Sequence, residues 1–206
     1  MLRISFAKSL FRYYGVEQMK IVAILGSPRG KSNSTALART ILQKAGEQGA
    51  ECREFILNKL QFRGCQGCET CKTKLDHCVV NDDLTPVLEA VKEADAVIMA
   101  SPNYFGEVSG QFKSFFDRTY SYLSPDFSSR LKPGKSSVFV FAQGQPDLNI
   151  YSDVHPRYEM WLKRFGFSNN FLLRMNGPRS ADSISQRPDL ISQAEDIARQ
   201  LMSPAS

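Results

Sequence analysis

Four cysteines lie in one short run with the spacing C-x2-C-x2-C-x6-C, at Cys65, Cys68, Cys71 and Cys78. Thiolates at such short intervals can converge on a small inorganic core, and the first three reproduce the front of the bacterial ferredoxin run. The fourth is further away and no proline follows it. The run predicts a [4Fe–4S] site.

Other uses of these cysteines stay open. Zinc usually takes paired ligands with a longer gap between the pairs, although a Cys/His site that includes His77 is a further option. Cys68 and Cys71 form a C-x-x-C pair, which can work as a redox dithiol. The nearby cations Arg63, Lys72 and Lys74 either offset the charge of a cluster or form a solvated surface.

A second segment, residues 26–35 (GSPRGKSNST), has the chemistry of an anion site. It follows an apolar run and opens a helical pattern, so its backbone N–H groups and the helix dipole favour negative charge. Gly26 and Gly30 permit close backbone approach. The segment is neither a P-loop nor the dinucleotide fingerprint G-x-G-x-x-G, which disfavours a nucleoside triphosphate or a dedicated nicotinamide domain.

Short apolar runs alternate with helical patterns along the chain, which predicts a parallel sheet covered by helices on both faces. The predicted strands are 20–25, 51–57, 95–100, 136–142 and 167–174. The predicted helices are 34–48, 86–93, 109–122, 154–165 and 188–201, with Thr85 as N-cap of the second. Right-handed crossovers favour a doubly wound α/β sheet.

Ligands of such sheets bind beyond the carboxyl ends of the strands, at the switch point of the topology. Three distinctive segments follow predicted strands, at 26–35, 101–106 and 143–146. We therefore expect these three loops to form one site. Flat apolar surface comes from Tyr104 and Phe105, and Asn103 offers hydrogen bonds.

Length and composition fit one globular domain of residues 19–206 with a cysteine-rich loop at 62–80, preceded by an N-terminal extension at 1–18. The net charge of +5 suits anionic small molecules, and the scattered cations disfavour nucleic acid. We find no apolar run that predicts a membrane span, and clustered cysteines favour a reducing, cytoplasmic location. We expect the extension to be a flexible segment or the result of an upstream start codon. A transit peptide is the alternative.

Both motifs together resemble the NADPH-dependent FMN reductase superfamily. The resemblance rests on GSPRxxSNST at 26–35 and on the run SPNYFGxxSGxxKxFxDR at 101–118. The cysteine loop between them is similar to that of the iron–sulfur flavoprotein branch, whose relatives can also keep such cysteines without a cluster. The resemblance covers residues 19–145 well.

The resemblance implies a flavodoxin-like five-stranded parallel sheet of order 2-1-3-4-5 that binds FMN. The phosphate is expected on the first loop, at Ser27, Arg29, Ser32, Asn33, Ser34 and Thr35. The isoalloxazine ring is expected on the other two loops, against Pro102, Asn103, Tyr104, Phe105, Gly106, Gln143 and Gly144.

The expected function is an FMN-dependent oxidoreductase that relays electrons between FMN and the cluster. Its donor is NAD(P)H or a protein, and its acceptor is a small molecule or a protein. No side chain is assigned an acid–base role, because the cofactor carries the chemistry. The resemblance also implies a homodimer or homotetramer. The alternatives are a flavodoxin-like carrier without its own substrate, and an FMN or quinone reductase-like protein whose cysteines hold zinc or no metal. A third alternative is a binding module that is stabilised by zinc and has lost FMN.

Overall fold

The computed structural model describes residues 18–177 and 183–203. The predicted extension at 1–18 therefore lies outside the described residues, apart from Gln18. Of the described helices, none is both long and apolar enough to cross a membrane.

Five parallel strands form the sheet, in the order β2-β1-β3-β5-β6. A two-residue strand, β4, pairs with the end of β3 in antiparallel fashion. With β4 set aside, this is the predicted order 2-1-3-4-5, and the flavodoxin-like topology is confirmed. The strands are β1 (Lys20–Leu25), β2 (Glu51–Ile56), β3 (Ala96–Tyr104), β4 (Glu107–Val108), β5 (Lys135–Ala142) and β6 (Phe167–Met175).

Six α-helices join these strands within the described residues, and short 3-10 turns extend some of them. One of the six is a single turn inside the cysteine loop. The helices are α1 (Asn33–Glu47), α2 (Thr70–Thr73), α3 (Thr85–Glu93), α4 (Gly110–Arg118), α5 (Val154–Arg164) and α6 (Pro188–Met202).

Alternate side chains of the central strands point to opposite faces, so each strand contributes to two apolar cores. In β1, Ile21 and Ala23 pack with α1 and α6, whereas Val22 and Ile24 pack with α3, α4 and α5. Burial on both faces explains why residues 21–25 (IVAIL) are apolar throughout.

Most predicted bounds lie within one residue of the observed ones, and three further differences have a local reason. The third strand continues to Tyr104 because its end pairs with β4. The helix expected at 109–122 ends at Arg118 and tightens into a 3-10 turn, Thr119–Tyr122. The N-cap of α3 is Leu84 and not Thr85; Asp82 Oδ1 accepts a hydrogen bond from the Leu84 N–H at 3.0 Å instead.

The first loop approaches its neighbours closely at Gly26. Its N–H donates to Ala100 O of β3 at 2.8 Å, and its carbonyl accepts from Ser109 Oγ, the N-cap of α4, at 2.6 Å. A Cβ at this position would lie 2.7 Å from Phe112 Cβ, which real contacts do not allow. Gly30 faces open space, with no described heavy atom within 4 Å of where its Cβ would be.

We predict that Gly26→Ala lowers the free energy of unfolding by about 1–3 kcal/mol, because the added methyl overpacks the junction with Phe112. Urea unfolding measures the loss. The matched control is Gly30→Ala, which adds the same methyl to open space. An equal effect of the two substitutions would contradict the close approach at Gly26.

Candidate functional site

A cavity of about 690 Å³ lies at the carboxyl ends of β1, β3, β5 and β6. This is the position at which doubly wound sheets bind ligands, and the volume is within the range of cofactor sites. Eleven of the thirteen predicted cofactor residues line it: Ser27, Arg29, Ser32, Asn33, Ser34, Pro102, Asn103, Tyr104, Phe105, Gln143 and Gly144.

The first wall of the cavity is the loop that leads into α1. Ser32 is the N-cap of this helix, and its hydroxyl accepts from the Thr35 N–H at 3.3 Å. The same hydroxyl donates to Thr35 Oγ1 at 2.9 Å, which explains why Thr35 supports the loop without lining the cavity. The positive end of a fifteen-residue helix thus faces the cavity beside several hydroxyl groups.

The second wall is the tight hairpin between β3 and β4. Phe105 and Gly106 occupy its two central positions with φ of 52° and 81°, and the Gly106 N–H donates to Asn103 Oδ1 at 3.0 Å. Left-handed backbone is costly for a bulky residue, yet the Phe105 side chain is fully exposed. The hairpin therefore holds an aromatic ring out at the cavity.

A donor inside this wall has no partner among residues 18–177 and 183–203. The buried Nδ2 of Asn103 makes no hydrogen bond with any described residue. An orphaned buried amide costs free energy, and such groups mark places where a ligand or water completes the site. Asn103 lines the cavity, so this donor fits the polar edge of a bound heterocycle.

The third wall, residues 143–151, is held by hydrogen bonds within the protein. Gln143 Nε2 donates to Gln145 O and Asp147 O, and its Oε1 accepts from Arg174 Nη2 at 2.5 Å. Arg174 also donates to Leu148 O at 2.6 Å and Ile150 O at 3.2 Å. The side chain of Gln143 thus shapes the loop, and Gln143 and Gly144 both line the cavity.

Four lining residues were missed by sequence reasoning: Ala142, Tyr151, Met175 and Gly177. Met175 and Gly177 follow from the sheet order, since β6 neighbours β5 and its carboxyl end reaches the same edge. Tyr151 carries no such signal. Its ring lies 3.3 Å from where a Cβ of Gly106 would be, so it packs over the hairpin.

The cysteine loop is ordered around three cations. Arg130 Nη1 donates to Cys71 O and Ser121 O at 2.9 Å. Lys72 Nζ donates to the carbonyls of Tyr120 and Leu123 and lies 3.8 Å from the centre of the Tyr120 ring. Lys72 is therefore not a solvated surface group: burial lowers the pKa of its ammonium, while the charges of the Cys71 and Cys65 thiolates act in the opposite direction. Arg118, the third cation, donates to the carbonyls of Arg63 and Val80 at the two ends of the loop.

The four thiols differ in their surroundings. All five cysteines, each within the described residues, are free of disulfides. Cys71 is buried, and burial raises the pKa of its thiol. Cys68 is exposed, and a hydrogen bond with the Thr70 side chain lowers the pKa of its thiol. Across residues 18–177 and 183–203, no three potential metal ligands lie close enough together to hold an ion.

An ion pair fixes the carboxyl side of this loop. Arg118 Nη1 lies 2.9 Å from Asp82 Oδ2, and the arginine side chain is wholly buried. Burial alone would raise the pKa of Asp82, but bonds from Arg118 and from the N–H groups of Arg63 and Leu84 outweigh it, so the pKa is lowered. Lys113 and Asp117, on the exposed side of α4, form the predicted i,i+4 pair at 2.5 Å.

Comparison with known proteins agrees with both motifs. A family model described as NADPH-dependent FMN reductase matches residues 19–145. The chain belongs to this family. An iron–sulfur flavoprotein of Methanocaldococcus jannaschii is 41% identical over 101 residues, covering 49% of this chain and 52% of that protein. An iron–sulfur flavoprotein of Archaeoglobus fulgidus is 39% identical over 148 residues, covering 64% of this chain and 72% of that protein.

The likeness in fold extends beyond the matched sequence. The solved NAD(P)H:quinone oxidoreductase from Methanothermobacter marburgensis aligns with a TM-score of 0.71 and 19% identity, covering 90% of this chain and 100% of that one. At that identity the likeness shows the fold alone. The chain spans between about half and three fifths of the length of the first curated relatives it matches.

We predict that acid weakens the Asp82–Arg118 pair. A carboxylate with a lowered folded pKa contributes stability that is complete above its unfolded pKa, about 3.9, and is lost as the pH falls through the folded value. Asp82→Asn should cost about 3 kcal/mol at neutral pH. In Asp82→Asn the free energy of unfolding should also fall less steeply as the pH is lowered than it does in the wild type. Urea titrations at a series of acid pH values (the acid limb of the profile) measure this.

Asp83→Asn is the control for this prediction, because it removes a neighbouring, exposed carboxylate and can still accept the Gln61 N–H. Its acid limb should match that of the wild type. A wild-type acid limb retained in Asp82→Asn would contradict the pairing.

Proposed function

We propose that this protein is an FMN-dependent oxidoreductase that takes electrons from NAD(P)H. The observation that carries the proposal is the single cavity that both family motifs line, at the carboxyl ends of β1 and β3. The activity, the donor and the residue roles below are all part of the proposal.

The phosphate of FMN is assigned to the first wall. Its donors are the N–H groups at the start of α1 and the hydroxyls of Ser27 and Ser34, while Arg29 adds positive charge. Ser32 lines the same wall, and its hydroxyl holds the start of α1 in place. Helix N-termini of this kind bind phosphate through aligned N–H groups and the dipole. Asn33 Nδ2 donates to Ser183 Oγ at 2.9 Å, which ties this wall to the 3-10 turn Ser183–Gln186 that precedes α6.

The ring of FMN is assigned to the second and third walls. Pro102, Tyr104 and Phe105 present apolar surface, and Asn103 Nδ2 is available to an acceptor on the ring. The loop of Gln143 and Gly144 closes the other side. Because Gln143 and Arg174 already fix that loop, the ring would meet a preformed edge, which lowers the entropy cost of binding.

FMN, when bound, supplies hydride and single-electron chemistry. The contribution of the chain is to hold the cofactor, orient its ring and leave one side accessible. Tyr104 and Phe105 are exposed beside the cavity, which suits transient stacking of a nicotinamide. No side chain needs to donate or accept a proton for this role.

We further propose that Cys65, Cys68, Cys71 and Cys78 hold a [4Fe–4S] cluster that exchanges electrons with FMN. Support comes from their number and spacing, from their free thiols and from the names of the relatives. The thiols are not gathered in the described residues, so binding a cluster requires the loop to draw them together. Exposed Cys65 and Cys68 leave room for that movement.

The assembly is proposed to be a homodimer or homotetramer in the cytoplasm. Besides Tyr104 and Phe105, Leu148 and Ile150 of the third wall are exposed. Large apolar side chains grouped on one surface are typical of interaction sites.

The FMN site is tested by Asn33→Asp. The new carboxylate repels the phosphate, which should weaken FMN binding about tenfold or more. Riboflavin lacks the phosphate, so its affinity should change little. Both affinities are measured by quenching of flavin fluorescence, and the FMN concentration for half-maximal NADPH oxidation by a quinone should rise in parallel.

Asn169→Asp is the matched control, because it makes the same change at the exposed, opposite end of the sheet, near the start of β6. Equal FMN affinity in Asn33→Asp and wild type would contradict the assigned phosphate site. Negligible NADPH oxidation by wild-type protein saturated with FMN would favour an electron carrier instead.

The metal site is tested on protein purified without oxygen. We expect bound iron and sulfide in equal amounts, and Cys71→Ser should lose most of both because a hydroxyl is a poor replacement for a thiolate ligand. Cys52→Ser removes a cysteine on β2, outside the run, and should retain them. Stoichiometric zinc, or a flavin spectrum without iron, would overturn the cluster assignment and leave the FMN site standing.

A further inference from the structure

Both ends of the cysteine loop, residues 62–80, meet one buried side chain. Arg118 Nη1 donates to Arg63 O at 2.9 Å, and Arg118 Nη2 donates to Val80 O at 2.7 Å. A single guanidinium thus joins the chain two residues before Cys65 to the chain two residues after Cys78. The cysteine run is closed into a ring across Arg118.

Asp82 completes this closure. Its Oδ2 accepts from Arg118 Nη1 at 2.9 Å and from the Arg63 N–H at 3.1 Å. The carboxylate and the guanidinium therefore bind each other and the same loop end. Within the described residues, every hydrogen bond from the Arg118 guanidinium goes to residues 63–82, so this group serves the loop and not the sheet.

The chemistry of arginine suits this task. Its planar fork directs several N–H groups at fixed angles, whereas lysine presents one compact ammonium. Bonds from a charged donor to carbonyl oxygens are among the stronger hydrogen bonds in proteins. Holding the ends of a loop together removes conformations that the free loop would populate, which is an entropic gain for any ligand that must bind several of its side chains.

The middle of the loop has its own support. Arg130 Nη1 donates to Cys71 O and, at 3.3 Å, to Asp76 O. Cys71 is consequently 8% exposed, while Cys65 and Cys68 are exposed. One thiol of the run is buried, two are exposed, and the ends of the loop are closed.

We propose that Arg118 is a positioning residue of the cysteine site. It keeps the two ends of the loop together so that the four thiols stay within reach of one another before any metal arrives. The part of this inference that concerns cluster uptake rests on the proposed function, whereas the part that concerns the metal-free loop does not.

The metal-free loop is tested by pulse alkylation with N-ethylmaleimide and peptide mass spectrometry. In wild-type protein Cys71 should react much more slowly than Cys65 and Cys68. In Arg118→Ala the rate at Cys71 should rise about tenfold or more, because the lost charged bonds allow the loop to open. Lys113→Ala removes an exposed cation from the same helix and should leave the rate unchanged.

Chemical rescue separates positioning from general loss of stability. N-ethylguanidinium replaces the missing part of the side chain and should restore slow alkylation of Cys71 in Arg118→Ala. N-ethylurea, which has a similar shape without the charge, should not. After anaerobic reconstitution with iron and sulfide, the visible absorbance of the cluster should fall about fivefold or more in Arg118→Ala and recover with N-ethylguanidinium only.

Each outcome decides one claim. Unchanged protection of Cys71 together with unchanged iron uptake in Arg118→Ala would overturn the positioning role. If wild-type protein takes up no iron, the cluster proposal fails and the alkylation rates alone decide the role of Arg118. If Arg118→Ala loses FMN binding as well, and is therefore unfolded, Asp82→Asn replaces it in both assays and should expose Cys71 to a smaller degree.

Discussion

The packing of Gly26 against β3 and α4 is the constraint on which the site depends. Its two backbone groups bond to Ala100 O and Ser109 Oγ, and no side chain fits between it and Phe112. This contact joins the loop after β1 to the N-cap of the helix after the β3–β4 hairpin. The first and second walls of the cavity therefore share one junction, and their separation is set by backbone contacts.

Guanidinium groups hold the remaining loops. Arg174 of β6 bonds to Gln143, Leu148 and Ile150 and so fixes the third wall. Arg118 of α4 does the same for the cysteine loop. In both cases a regular element supplies the cation and an irregular loop supplies carbonyl oxygens. Such loops gain order without apolar burial, which leaves their surfaces available for ligands.

The sheet and most of the cavity were predictable from the sequence, because both depend on local patterns. Apolar runs fix strands such as β1, and topology then places the loops that follow them at one edge. The role of Gln143 was not predictable: its amide is used within its own loop, through a contact with Arg174 from thirty-one positions along the chain. The carbonyl partners of Lys72 and Arg118 were not predictable for the same reason, since they are distant in sequence.

The hairpin at Phe105 shows a different limit. Nothing in the pattern SPNYFG indicates that a phenylalanine takes up left-handed backbone, since glycine is the residue that tolerates it. Pairing of Tyr104 with Glu107 and the bond from the Gly106 N–H to Asn103 Oδ1 over-determine the turn. That geometry exposes Phe105 and Tyr104 where the ring of FMN is assigned.

A crystal structure of the anaerobically purified protein with FMN tests the central claim most directly. The account predicts the FMN phosphate against the N–H groups at the start of α1, and the ring between the β3–β4 hairpin and the Gln143 loop, with Asn103 Nδ2 bonded to it. FMN bound away from these walls, or a phosphate that does not contact residues 27–35, would contradict it.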